Sequence, residues 1–446
     1  LLPCPGRGAH ASWPYPYPHR RCYPSDMTSL RRLSSWLLSR FSRETSSGRL
    51  VLEIDGLRVA AIMAVVLYHS HAHFFRTDGG SEGAPWDALS ALIQLGWFGV
   101  QLFLVISGFI VAIPFADAHL SGRRPAPLGT YYLRRLARLH PPYLINLTIF
   151  LLFFCDRGEL LSLLPHYLAS AFYAHGLVYQ DYSPVNNVTW ALEIIIQFYL
   201  VAPFLCVVYA VRPTWLRRGI LVLGMVASAA QMQYLYHPWL GWTIVNQMRW
   251  FLGGLLLADV YLVTWKSAPP RGLAWDLLGA AAWALVPFLL LTPIRVAGVR
   301  ADLHILPFAL VAACAGAFRG RVLSRLFSAG WIVGVGGITY SIFLYHVPYI
   351  WRLKRLLGEV PIGSQPAAFA MMLVDAIGIV LVCAIYFVLF EKPFMRKDWP
   401  ARAWSFVRRK ASAPSASPAS PSLDAPAIAP PASSASSPPR PAPPSS

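Results

Sequence analysis

The stretch GLRVAAIMAVVLYHSHAHF, residues 56–74, decides how this chain is read. It is apolar enough to enter a lipid bilayer, yet it carries Arg58 near its start and His69, His71 and His73 near its end. An ionisable residue inside a membrane span costs about 2.5–3.5 kcal/mol even on lenient insertion scales, and it faces a cavity or a partner. Eleven residues separate Arg58 from His69. At 100° per residue that is about 1100°, about 20° past three turns, so both side chains leave one helix face, about 16 Å apart along the axis. His71 projects from a different face and is expected at the interface. His69 and His73 share a face at helical spacing and form a geometry open to zinc. No Asp, Glu or Cys stands nearby to complete a shell, so no metal is expected.

The rest of the chain repeats the theme. Of 446 residues, 56% are hydrophobic and only 13% are charged, about half the charged share of a soluble domain. Apolar blocks long enough to cross a bilayer recur along the sequence, which predicts an all-α, polytopic transmembrane helix bundle. The expected spans are ten: 55–75, 90–114, 139–156, 187–210, 219–236, 243–264, 273–292, 302–318, 330–350 and 367–390. Residues 159–178 contain Pro165 and two histidines and are expected to lie in the interface without crossing.

The formal charge of +18 would suit a nucleic-acid partner, but the basic residues sit in short runs between apolar blocks. Topology explains them. With both termini cytoplasmic, 28 Lys and Arg before residue 411 fall inside and 7 outside, the asymmetry of the positive-inside rule. No nucleic-acid partner is expected. Cys4, Cys22, Cys155, Cys206, Cys314 and Cys383 form no C-x-x-C pair; the last four read as small buried hydrophobes.

The organisation expected is an N-terminal segment 1–54, a membrane domain 55–395 and a tail 396–446. The first methionine is Met27, and residues 1–26 show no periodicity, so the natural start is expected there. Residues 29–41 space their apolar side chains helically beside arginines, as in a helix lying on a cytoplasmic membrane surface. The tail is basic and then rich in Ala, Pro and Ser, a composition that cannot bury a core.

Two further segments carry chemistry. In GWFGVQLFLVISGFIV, residues 96–111, Gly96, Gly99, Ser107 and Gly108 thin a face for close helix packing. In YYLRRLARLHPPYL, residues 131–144, Arg134, Arg135 and Arg138 gather at the start of a span. They serve either as a topological anchor or as a clamp for phosphate, which guanidinium binds bidentately.

With these segments the chain resembles acyltransferase family 3, the transmembrane O-acyltransferases of bacterial surface glycans. The family's Arg-x10-His motif falls on Arg58 and His69. Its Phe-Phe-x-x-Ser-Gly motif falls on Phe103, Leu104, Ser107 and Gly108, with Leu104 in place of the second Phe. Its Arg-x-x-Arg motif falls on Arg135 and Arg138. TWALEIIIQFYLVAP, residues 189–203, and GITYSIFLYHVP, residues 337–348, resemble two later family segments. One departure stands at Ile195, where relatives commonly carry an acidic residue; Glu193 is the nearest carboxylate.

The resemblance implies transfer of a short acyl group, above all acetyl, from cytoplasmic acyl-coenzyme A to a hydroxyl of an extracytoplasmic glycan or glycolipid. It implies no tightly bound cofactor and a bacterial inner-membrane location among lipid partners. His69, Arg58 and Glu193 become the expected catalytic group, with the imidazole as general base, a task suited to a pKa near ~6.5. Arg134, Arg135, Arg138 and Ser107 are expected to hold the coenzyme, and Trp190, Tyr340 and His346 the acceptor. The domain is expected to work as a stand-alone transferase. Two other readings remain open on the residues alone. One is a proton-coupled transporter of a sugar or lipid derivative, weakened by the lack of a visible inverted repeat. The other is a scaffold whose polar groups only lock helices together.

Overall fold

The computed structural model describes residues 51–75, 88–153, 158, 160–357, 365–395 and 399. The surface helix expected at 29–41, the segment 1–26 and the tail beyond 400 lie outside these residues. Sixteen α-helices are described, joined by short single-turn segments. They are α1 (Leu52–Phe75), α2 (Ala88–Gln94), α3 (Gly99–Leu120), α4 (Leu128–Phe153), α5 (Leu160–Ala171), α6 (His175–Tyr179), α7 (Trp190–Leu205) and α8 (Thr214–Tyr234). There follow α9 (Ile244–Asp259), α10 (Leu273–Leu291), α11 (Ala301–Arg319), α12 (Arg321–Phe327), α13 (Gly330–Gly337), α14 (Thr339–Leu357), α15 (Gln365–Tyr386) and α16 (Lys392–Met395). A two-stranded hairpin, Arg295–Val296 against Val299–Arg300, turns through Ala297 and Gly298, both at positive φ.

The described residues of the expected spans are largely helical, but a count of about ten is not confirmed. Among the described residues, six helical segments are long and apolar enough to cross a membrane, and α13 with α14, bent by 70°, makes a seventh if it is one span. The shortfall has a physical source. α1 dilutes its apolar run with Arg58 and histidines, α8 carries two arginines and two glutamines, and α9 has only 16 residues. α5, at 12 residues, is too short to cross alone.

Burial in this bundle runs opposite to that of a soluble protein. On α15, Leu373, Val374, Ile377, Leu381 and Ile385 are exposed, whereas the Asp375 carboxylate is fully buried. A helix with apolar side chains outward and its only acid inward is built for lipid. This is a multi-pass membrane bundle. Cys206, Cys314 and Cys383 are buried free thiols, filling the core as small apolar groups.

α1, α3 and α9 form the centre. α3 lies between the other two because its glycines remove side chains where backbones meet. A Cβ on Gly108 would overlap the Phe251 backbone of α9, and one on Gly254 would overlap Val105 and Phe109 of α3. Gly96 and Gly99 meet Ala64 and Ala61 of α1 in the same way, the close approach expected for this face.

Prolines set up a second device. A proline deprives the carbonyl four residues earlier of its helical donor, and in lipid that oxygen must be satisfied internally. Pro203 frees the Tyr199 carbonyl, which accepts from the Tyr131 hydroxyl at 3.2 Å. Pro348 frees the Leu344 carbonyl, which accepts from the side-chain amides of Asn186 at 3.1 Å and Asn146 at 3.3 Å. Asn186 also donates to Asn146 Oδ1 at 3.0 Å. These buried amides fasten α14 to α4 and to the start of α7, two residues from His346.

Candidate active site

One end of the bundle opens into a cavity of about 1310 Å³. The last turns of α1, α8 and α10 and the first turns of α3, α7, α9 and α11 surround it, with the hairpin at its edge and α14 on one side. Such a volume exceeds the usual ~300–1,000 Å³ of a small-ligand pocket and suits a segment of a larger substrate. Its lining mixes aromatic faces (Trp97, Trp190, Trp250, Tyr182) with side-chain amides (Gln101, Asn187, Asn246, Gln247). Flat apolar rings beside amide donors and acceptors match the alternating C–H faces and hydroxyls of sugars.

His69 and His346 meet in this cavity, their ring centroids 5.1 Å apart and their planes tilted by 54°. His346 is fully buried, and its Nδ1 faces the carbonyls of Phe343 at 2.9 Å and Ile342 at 3.0 Å. Carbonyls only accept, so Nδ1 carries the proton and Nε2 holds the lone pair. Trp190, at the first turn of α7, lines the same cavity. The structure therefore unites His69, His346 and Trp190.

The other expected residues lie elsewhere. Arg58 is at the opposite end of α1, where its Nη1 donates to Asp55 at 2.8 Å. That ion pair offsets the cost of placing it in the bundle. Arg135 lays its guanidinium over the rings of Tyr199 at 5.2 Å and Tyr131 at 5.8 Å, near that same end. Arg134 is exposed and Arg138 half-buried beside it. Ser107 is half-buried on α3, six residues, or about 9 Å, along the helix from the cavity-lining Gln101. Tyr340 donates its hydroxyl to the Leu139 carbonyl at 2.9 Å and ties α14 to α4, away from the cavity lining.

Glu193 is buried, and its Oε2 accepts from the Gly176 amide at 2.9 Å. It holds the first turn of α6 and does not line the cavity. Ile195, where an acid was expected by resemblance, packs against the apolar core. His71 is buried, and its neighbour Ser70 donates to Asp375 of α15, which packs against α1. The side chain of His73 lies outside the described set.

A histidine pair joins α5, which carries His166, to α6, which carries His175. His166 Nδ1 and His175 Nε2 are 2.8 Å apart, and His175 Nδ1 donates to the Asp181 carbonyl at 3.1 Å. His175 Nε2 is therefore the acceptor. Burial holds the His175 imidazole below its ordinary pKa.

No motif singles out Arg249, although it and Arg58 are the only Lys or Arg residues inside the ten expected spans. Arg249 is 4% exposed and lines the cavity. Asp302 and Arg300, also in the lining, form a two-pronged ion pair at 2.9 and 2.5 Å. Gln233 clasps the hairpin by accepting from the Arg300 amide at 3.0 Å and donating to the Gly298 carbonyl at 3.2 Å.

Residues 51–391 match the family described as Acyltransferase domain. Among curated proteins, the chain is 26% identical over 409 residues to the peptidoglycan O-acetyltransferase OatA of Listeria monocytogenes, covering 81% of this chain and 57% of that one. It is 22% identical over 405 residues to the O-acetyltransferase OatA of Staphylococcus aureus, covering 82% and 60%. A putative peptidoglycan O-acetyltransferase of Bacillus subtilis, YrhL, is 27% identical over 210 residues, 44% of this chain and 30% of the relative. The chain thus spans less than two thirds of the length of these relatives. No solved structure matches it.

Proposed function

We propose, from the premise that this chain belongs to the acyltransferase domain family, that it moves an acetyl group from acetyl-coenzyme A to a hydroxyl of a cell-envelope glycan. The observation that carries this reading is the meeting of His69 and His346 in a large cavity lined by aromatic rings and amides. The names of the relatives, which refer to O-acetylation and in part to peptidoglycan, point to the same class of acceptor.

In this reading the cavity faces the outside of a bacterial inner membrane and both termini lie inside, a placement that the distribution of Lys and Arg supports. The acceptor sugar stacks on the cavity's rings with one hydroxyl towards His69. His69 takes the hydroxyl proton as the sugar oxygen attacks the thioester carbonyl. A carbon–oxygen bond forms, the carbon–sulfur bond breaks, and the coenzyme thiolate recovers a proton from the imidazolium. His346, with its tautomer set by two carbonyls, braces the His69 ring.

Arg135 and Arg138, with Arg134, hold the coenzyme's phosphates at the opposite end. Stacking on Tyr131 and Tyr199 uses the faces of the Arg135 guanidinium and leaves its in-plane N–H donors directed at a ligand. Arg58, at the same end as Arg135, and Ser107, between that end and the cavity, guide the acyl-bearing arm.

The test is reconstitution in sealed vesicles of one orientation, with labelled acetyl-coenzyme A on one side and peptidoglycan fragments on the other. Labelled glycan is expected only when the donor is on the side of Arg135. Arg135→Lys together with Arg138→Lys is expected to weaken donor binding about tenfold or more while keeping orientation. Wild-type protein that leaves the glycan unlabelled from either side overturns the reading.

A further inference from the structure

We propose that Arg249 and Asn246 form an anion-binding subsite in the cavity, one that selects an acceptor sugar bearing an oxyanion, a carboxylate or a phosphate. The proposal rests on the acceptor reading above. Buried guanidinium groups in this bundle are otherwise matched by acids. Arg217 pairs with Asp259 at 2.5 Å, and Arg58 with Asp55 at 2.8 Å. For Arg249, among the described residues, no carboxylate lies within 4 Å of its nitrogens. Its contacts are the Asn246 carbonyl, at 2.7 Å from Nη1, and the face of Trp250, at 4.6 Å.

Two polar atoms here have no hydrogen-bond partner, the Nε of Arg249 and the Oδ1 of Asn246. Both residues are nine-tenths or more buried, and both line the cavity. A buried donor without a partner is destabilising, and more so when charged. A buried cation without a counter-charge is the strongly destabilising half of a broken ion pair. The cavity's one lining carboxylate, Asp302, is already committed to Arg300, so it cannot neutralise Arg249. Arg295, on the hairpin, adds a further positive charge to the lining.

The missing counter-charge is therefore a ligand's. Arg249 offers a cationic donor, and Asn246, one helical turn earlier, offers an acceptor. That pair complements an oxyanion with a hydroxyl or amide N–H beside it, as on an acidic or phosphorylated amino sugar. The rings of Trp97, Trp190 and Trp250 around it supply the apolar platform.

The test uses purified full-length protein in detergent and the quenching of its tryptophan fluorescence. Three probes are compared: N-acetylglucosamine, its carboxylate-bearing lactyl ether N-acetylmuramic acid, and N-acetylglucosamine 1-phosphate. At least one charged sugar is expected to bind about tenfold or more tighter than the neutral one, a difference that a single charge-assisted contact supplies. Which charged sugar it is identifies the source of the oxyanion. Arg249→Gln is expected to bring the three affinities within about twofold, and Arg249→Lys to retain part of the preference. Equal binding of all three by the wild-type protein overturns the proposal, as does binding of none. A preference that survives in Arg249→Gln overturns it too. Acetyl transfer is measured separately on the same samples. Transfer without charge preference removes this subsite and leaves the transferase, whereas charge preference without transfer does the reverse.

Discussion

His69, near the end of α1, and His346, early in α14, place their rings 5.1 Å apart at the wall of one cavity. If the pair acts as a unit, His69→Gln or His346→Gln alone is expected to lower glycan acetylation by about 10²–10⁴-fold, the range of general-base catalysis. The double variant is expected to be no slower than the slower single, since residues that act together are not additive. Turnover at matched membrane abundance checks this. Independent, multiplying losses would separate the two histidines.

The Leu344 carbonyl makes a sharper test of packing. Pro348 removes its helical donor, and Asn146 and Asn186 replace it. Asn186→Leu is expected to cost about 1–3 kcal/mol of stability in detergent, because it removes a donor from both the Leu344 carbonyl and Asn146 Oδ1. Pro348→Ala should recover part of that loss by restoring the backbone N–H. A double-variant cycle on thermal unfolding reads the coupling, and strict additivity would show that the amides do not act through this oxygen.

Glu193 lies off the cavity lining and accepts from Gly176. Glutamine keeps a carbonyl acceptor in that place, so Glu193→Gln is expected to hold transfer within about twofold. Glu193→Ala should instead loosen α6 and lower stability by about 1 kcal/mol or more. A large loss of turnover in the glutamine variant, at unchanged melting temperature, would return Glu193 to the chemistry.

Acid is expected to destabilise the fold through His175. Its folded pKa lies below the ordinary value because burial disfavours the imidazolium. The unfolded chain takes up a proton near pH ~6.5 that the folded protein refuses, so stability is full above that pH and falls as pH drops towards the folded pKa. The slope contributed is at most ~1.4 kcal/mol per pH unit for one proton. Protonation would also set a second N–H against His166. His175→Gln should flatten this part of the curve in thermal unfolding between pH 7 and 5; an unchanged slope would assign it to another group.

Local periodicity was enough to show a helical membrane bundle, the shared face of Arg58 and His69, and the glycine face by which α3 seats itself. These properties belong to one helix at a time, and residue spacing along a helix is legible in its sequence. The span count was less legible, because α1 and α9 carry the polar groups that the site needs and so resemble membrane helices least. Only the tertiary structure decided which polar groups meet. His69 finds His346 because α14 leaves α13 at a 70° bend and is pinned by Asn146 and Asn186. Arg217 on α8 receives Asp259 of α9, Asp375 receives Ser70 of α1, and Arg249 receives no carboxylate among the described residues. The sequence displays each of these charges with its cost, but its offset comes from another helix or a ligand, and no spacing within one helix encodes that.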